Sequence, residues 1–127
     1  MWTREVRIED GKYSVFAQVT RCGEDISLTV GGGEVPHIGA AALAIPRPSL
    51  SVPGKISASV SVLCAPGHKE DEFVRRAAGC LAARFNCVVN ISAGVHIERA
   101  APEELKRLEG NLEALLAAVV KVLESRQ

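Results

Sequence analysis

The chain has 127 residues, of which 47% are hydrophobic and 24% are charged. A globular chain of this length buries its own core, so we expect one domain over residues 1–127. Fifteen basic residues balance fifteen acidic ones, which argues against a strong field for nucleic acid or an anionic membrane. Because no apolar run reaches the roughly 20 residues that cross a bilayer, we expect no membrane span.

Alternating apolar and polar residues predict three strands at the start of the chain. Residues 3–9 form the first pattern, and Asp10-Gly11 is typical of a hairpin turn. Residues 13–20 form the return strand, and residues 26–30 form a third strand that runs into three glycines. Such a stretch, "TVGGGEVPHIG", is expected to be a mobile turn or a place where another group approaches the backbone closely.

The next segment carries prolines and then the clearest strand pattern of the chain. Residues 41–45 predict a short strand, and Pro46, Pro48 and Pro53 argue against regular ladder pairing beyond it. We therefore expect a loop after residue 45. In "KISASVSVLC", apolar residues alternate with serines from residue 56 to residue 62, which predicts a fifth strand.

The last half of the chain favours two helices around one strand. Apolar residues recur every four positions within residues 68–85, which is typical of a helical face. Residues 87–94 predict a buried strand. Pro102 suits the first position of a second helix, whose apolar stripe runs from Leu105 to Leu123. Gly110 weakens this helix by about 1 kcal/mol unless close packing requires it.

The predicted order of elements is therefore β-β-β-β-β-α-β-α. Strands cluster early and helices late, which indicates the α+β class. We expect one largely antiparallel sheet with both helices packed on one of its faces.

All three histidines stand beside glycines near predicted element ends. The segments are "PHIG" with His37, "PGHKED" with His68 and "AGVHIE" with His96. Loops at element ends often display binding groups, but each histidine could also be an ordinary surface or core residue. The repeated setting makes the three histidines candidate ligand contacts.

Two of these segments could hold an anion. Successive amides of Gly31, Gly32 and Gly33 could form an anion-binding nest. Gly67 and Lys69 precede the first helix, where free amides attract phosphate, although the acids of residues 70–72 already suit that position. Neither the dinucleotide fingerprint nor the P-loop motif is present.

The three histidines could instead bind a metal ion, although no two of them are close in the sequence. No nucleophile motif stands out, and nothing in the pattern demands an enzyme. The cysteines form no C-x-x-C pair, and we expect reduced, mostly buried thiols. The charged start "MWTREVRIED" has no apolar signal segment, so we expect a cytoplasmic protein.

Three longer segments carry a resemblance to a known family. They are "SLTVGGGEVPHIGAAALA", "CAPGHKEDEFVRRAAGCLAARF" and "VNISAGVHIERAAPEEL", in this order over residues 26–110. This combination resembles the LpdD-like family, the small D-type accessory proteins of gallate-decarboxylase operons. The family's fold is similar to that of proteasome assembly chaperones, small α+β units that tend to pair.

The resemblance implies a non-catalytic chaperone that binds prenylated FMN, or FMN itself, for a UbiD-type decarboxylase, and it implies a homodimer. A metal-dependent enzyme, a flavin maturase and an assembly factor without a ligand remain alternatives. Carried over by motif, the cofactor-binding residues are Gly31, Gly32, Gly33, Pro36, His37, Gly39, Gly67, His68, Lys69, Gly94 and His96. The expected roles are phosphate binding by the glycine amides and Lys69, and hydrogen bonds from the histidines to the flavin ring or ribityl hydroxyls.

Overall fold

The computed structural model describes residues 1–65 and 70–125. Within them the order of elements is the predicted one, and the protein is α+β. The strands and helices are β1 (Trp2–Ile8), β2 (Val15–Cys22), β3 (Asp25–Gly33), β4 (Ala40–Pro48), β5 (Ile56–Cys64), α1 (Asp71–Phe85), β6 (Val89–His96) and α2 (Pro102–Glu124). The hairpin at Asp10-Gly11 is confirmed, with a single 3₁₀ turn over Gly11–Tyr13 that delays β2 to residue 15.

The strands form one sheet in the order β1-β2-β3-β6-β4-β5. Four of the five neighbouring pairs are antiparallel, which confirms the largely antiparallel sheet. The exception is the parallel pair of β3 and β6, in which Gly31 lies opposite Gly94 and Gly33 opposite His96. The late strand β6 thus lies between the two halves of the sheet formed earlier in the chain.

One face of the sheet is apolar and carries the core. The alternation predicted from the sequence places one set of side chains from every central strand on this face. Their buried members in the four inner strands are Val15, Ala17, Val19, Ile26, Leu28, Val30, Val89, Ile91, Ala93, Ala40, Ala42 and Ala44. The opposite face carries Ser27, Thr29 and Asn90, residues that remain partly or fully exposed.

Both helices cover the apolar face, as expected. α1 packs on β4, β5 and β6, whereas α2 packs on β1 and β2. The predicted stripe of α2 is buried from Leu108 to Leu123, but Leu105 at its start is 48% exposed. The predicted start of the first helix at His68 lies outside the described residues. α1 is described from Asp71.

The expectation that β4 ends before Pro46 was wrong. The Ser49 N–H donates to the Lys55 carbonyl at 2.7 Å. Because every second residue of a strand bonds to the same neighbour, the backbone nitrogens of Pro46 and Pro48 point away from β5. The pairing of β4 with β6 has already ended at Ala44. The prolines therefore face a side without a ladder, where a missing N–H costs no hydrogen bond.

The expectation of mostly buried thiols was also wrong. Cys22, Cys64 and Cys80 are exposed, and only Cys87 among the four is buried. Neither helix, within the part of the chain that the structure describes, has the length and apolarity to cross a lipid bilayer.

Candidate functional site

Two of the three histidines meet at one end of the sheet. The chain leaves β3 and must cross the end of β6 to reach β4, and His37 lies on this crossing segment. The His37 N–H donates to the Gly94 carbonyl at 3.4 Å, and the Gly39 N–H donates to the Ala93 carbonyl at 2.9 Å. The crossing places the ring of His37 nearly perpendicular to that of His96, with ring centroids 6.4 Å apart.

Glycines make room for this crossing segment. A side-chain carbon on Gly94 would overlap the backbone carbonyl of His37, and one on Gly31, its neighbour in β3, would lie 3.2 Å from Pro36 and 2.8 Å from Phe16. The two glycines therefore form a bare strip on which the segment lies. Close approach to the backbone was one of the expectations from the sequence, and the approaching group is the protein's own loop.

The tri-glycine stretch is not the mobile turn that the sequence suggested. Gly31 and Gly32 are buried and paired with strands on both sides, and the Gly33 N–H donates to the Ser14 carbonyl at 3.0 Å. Because extended, doubly paired backbone does not form the concave amide arrangement of an anion nest, that interpretation was wrong. Whether these glycines contact a ligand stays a prediction.

Gly33 begins the crossing with a left-handed backbone, at φ 73°. A side-chain carbon there would overlap the carbonyl of His96, which accepts the N–H groups of Glu34 at 2.7 Å and Val35 at 3.3 Å. A residue other than glycine would be unfavourable here, because its side chain would disfavour this φ and would collide with the His96 carbonyl. Gly33 thus ties the start of the crossing segment to His96.

A carboxylate that the sequence did not single out completes the site. The side chain of Glu70 is 11% exposed, and its Oε1 lies 3.3 Å from His37 Nε2. The same oxygen accepts the N–H of Val95 at 3.3 Å. Gly39 lies against this carboxylate, where a side-chain carbon would overlap it. Glu70 also stands at the N-terminal end of α1, whose dipole favours a negative charge.

The two histidines differ in exposure and hydrogen bonding. The side chain of His37 is 21% exposed, and its Nδ1 lies 3.0 Å from the Val35 carbonyl. Both ring nitrogens of His37 thus face oxygen acceptors, and the ring donates to both only as an imidazolium. His96 is 48% exposed, with Nε2 at 3.2 Å from Glu98 Oε1. His96 is therefore the more accessible ring for a bound molecule.

The structure brings His37 and Gly39 against Glu70 and places His96 beside His37. Pro36 lies over Gly31, and the His37 carbonyl lies over Gly94. The predicted contacts Gly67, His68 and Lys69 lie outside the described residues. Over residues 1–65 and 70–125, no group of three or more His, Cys, Asp or Glu side chains is arranged to hold a metal ion. Sequence reasoning missed Glu70 because its neighbours are also acidic, and only the space beside Gly39 distinguishes it.

Three comparisons with known proteins bear on the fold and the family of this chain. No curated protein matches the chain at a significant level. In three dimensions it is similar to a chain in the crystal structure of a chaperone complex for yeast 20S proteasome assembly. The TM-score is 0.60 and the identity 18%, over 98% of this chain and 95% of that one. This likeness confirms the expected fold relation. The model of the prenylated flavin chaperone LpdD-like domain matches residues 9–124, and the chain therefore belongs to the LpdD-like family of prenylated flavin chaperones.

Proposed function

We propose that this protein binds prenylated FMN and delivers it to, or helps it mature in, a UbiD-type decarboxylase. It acts as a carrier in the cytoplasm and not as an enzyme. The observation that carries the proposal is the convergence of His37, His96 and Glu70 at one sheet end in a chain of the prenylated flavin chaperone family.

The donor and acceptor groups at this site suit a flavin. Flavins present ring N–H and carbonyl groups, and the ribityl chain adds hydroxyls. An imidazole donates or accepts according to its protonation, and a carboxylate accepts from hydroxyl and N–H groups. The half-exposed ring of His96 is the first contact, and His37 and Glu70 form a hydrogen-bonded pair behind it. Imidazole and carboxylate contacts of this kind hold a cargo without a covalent bond.

The remaining predicted contacts are part of the proposal. The glycines of β3 and β6, together with Pro36 and Gly39, shape the site by fixing the crossing segment. Lys69 supplies a positive charge for the phosphate, and Gly67 and His68 contact the same ligand. These roles rest on the motifs shared with the family.

A titration of the protein with reduced prenylated FMN under anaerobic conditions tests the proposal. A carrier must release its cargo, so we expect micromolar affinity, about −8 kcal/mol. His96→Ala should weaken binding at least tenfold, and Gln18→Ala, on the exposed face of β2, should bind as the wild type does. A folded protein that binds no prenylated FMN at 100 times the expected dissociation constant, roughly 0.1 mM, would refute the proposal.

The enzyme and assembly-factor alternatives give different outcomes in the same system. A flavin maturase would convert many equivalents of prenylated FMN per protein, whereas a carrier acts stoichiometrically. An assembly factor without a ligand would activate the decarboxylase fully when both described histidines are replaced by alanine.

We also propose a homodimer. From Leu108 to Leu123 the apolar stripe of α2 is buried against the sheet and is not available for an interface. The exposed face of β4 and β5 presents Leu43, Ile45 and Leu63, the last of them 80% exposed. Contiguous exposed apolar side chains of this kind are typical of protein interfaces. Leu63→Glu should lower the mass measured by light scattering to that of one chain, and an unchanged mass would contradict this interface.

A further inference from the structure

A groove lies between the two helices beside the end of β6. α1 covers one half of the sheet and α2 the other, and two ion pairs at the surface, Arg76–Glu113 and Arg84–Glu124, link the helices. The space between the helices has a volume of about 850 Å³. Sites for small organic ligands have volumes of roughly 300–1,000 Å³, so the groove has room for one.

The groove is continuous with the histidine site and has an apolar floor. Glu70, Val95 and His96 line the end that meets the histidine site. Beyond them the lining residues are Phe73, Ile97, Leu105, Leu108 and Leu112. An aromatic ring and aliphatic side chains offer contacts to a flat apolar molecule but few hydrogen bonds.

The charges at the rim of the groove disfavour the phosphate end of a flavin nucleotide. Four carboxylates line the groove, those of Glu70, Glu72, Glu109 and Glu113, against the cations of Arg76 and Lys106. Arg76 is already paired with Glu113. A phosphate group inside the groove would therefore meet a net negative charge, whereas an uncharged ring system would meet no such penalty.

Gly110 is a separate indication that something other than protein fills the groove. It lies on the groove wall, inside α2, where glycine is an unfavourable helix residue. Apart from its chain neighbours and the backbone of its own helix, a side-chain carbon at Gly110 would have no described atom within 4 Å. Packing within the described fold thus gives no reason for a glycine, whereas a ligand lying along α2 does.

We infer that the groove between α1 and α2 receives the fused-ring end of the flavin, while the histidine site holds its polar ribityl part and the phosphate stays outside. This inference rests on the proposed function and assigns the ring end of the cargo to named residues. Binding then depends on the apolar side chains of both helices as well as on the histidines.

The test measures the affinity of the full chain for reduced prenylated FMN and for its dephosphorylated form. Leu105→Glu and Phe73→Gln place polar groups in the groove from α2 and α1. Ala114→Glu is the matched control, because Ala114 is an exposed residue of α2 that does not line the groove. Both groove variants should weaken binding of the two ligands by the same factor, about tenfold, and the control by less than twofold. Thermal melts by circular dichroism check that each variant is folded.

The outcomes separate this inference from the proposed function. If the wild type binds neither ligand, both fail. If the wild type binds and His96→Ala weakens binding, but both groove variants bind as Ala114→Glu does, only the assignment of the ring to the groove is overturned. A groove variant that changes the mass of the assembly by light scattering, with flavin affinity unchanged, would show a protein interface there and also overturn it.

Discussion

Replacing Gly94 by alanine should damage the fold and the site together. The added carbon would overlap the His37 carbonyl and lie 3.0 Å from the His37 ring. Unbonded carbon and oxygen atoms rest about 3.3 Å apart, so the crossing segment would have to move by well over 1 Å. A change of this size breaks the hydrogen bond from His37 to the Gly94 carbonyl and displaces the ring from Glu70.

The expected magnitude follows from three contributions. Forced overpacking costs about 1–3 kcal/mol, and the lost backbone hydrogen bond costs about 1 kcal/mol. Alanine restricts the unfolded chain, which offsets about 0.5 kcal/mol. We expect Gly94→Ala to lower the free energy of unfolding by about 1.5–3.5 kcal/mol. Because binding sites need their groups placed within about 0.5 Å, flavin affinity should also fall at least tenfold.

The same substitution at Gly110 is a matched control. Outside its own helix, no described atom lies within 4 Å of the added carbon there, so Gly110→Ala should raise the free energy of unfolding by about 0.5–1 kcal/mol. Urea unfolding followed by far-ultraviolet circular dichroism measures both variants. If Gly94→Ala were as stable as the wild type, or no less stable than Gly110→Ala, the conclusion that the glycine strip accommodates the histidine segment would be refuted.

Three further predictions concern acid stability, the core and the thiols. The Ala101 N–H, Lys12 and Tyr13 lower the pKa of Glu104 from its ordinary 4.5 to about 2. Its stabilising contribution is therefore present above pH 4.5 and lost as the pH falls towards 2, and Glu104→Gln should flatten this part of a stability-against-pH curve; an unchanged slope would contradict it. Leu123 is fully buried, so urea unfolding of Leu123→Ala should show a loss of about 3 kcal/mol, whereas the half-exposed Leu105→Ala should lose less than about 1 kcal/mol; equal losses would contradict the burial difference. Burial raises the pKa of the Cys87 thiol, so three of the four cysteines should react rapidly with a thiol reagent at pH 8 and Cys87 only on unfolding, as mass spectrometry would show; rapid native labelling of Cys87 would contradict it.

Local patterns were enough to predict the elements and the class of the fold. In a strand every second side chain faces the core, and in a helix every third or fourth one does. These repeats are visible within a few consecutive residues of the sequence. The extension of β4 through Pro46 and Pro48 was not predictable in this way. It depends on where β6 begins, at Val89, which is a property of a strand more than 40 residues later in the chain.

The site could be predicted only in part for the same reason. The sequence places glycines beside histidines, but it does not show that Gly94 accommodates the segment carrying His37. That relation follows from the parallel pairing of β3 and β6. The alternating pattern of a strand does not show which other strand it pairs with. Glu70 was missed because its carboxylate packs against Gly39. Gly39 lies 31 residues earlier in the chain, so the local acidic pattern does not show this contact.

The central position of β6 has a consequence for how this protein is made. The first five strands leave the ribosome as a meander and a separate hairpin, and each can pair locally. Residues 89–96 then join the two parts, with β3 on one side and β4 on the other. Contacts so distant in sequence form late, so the pairing of His37 with His96 at the sheet end exists only once residues 89–96 have joined the sheet.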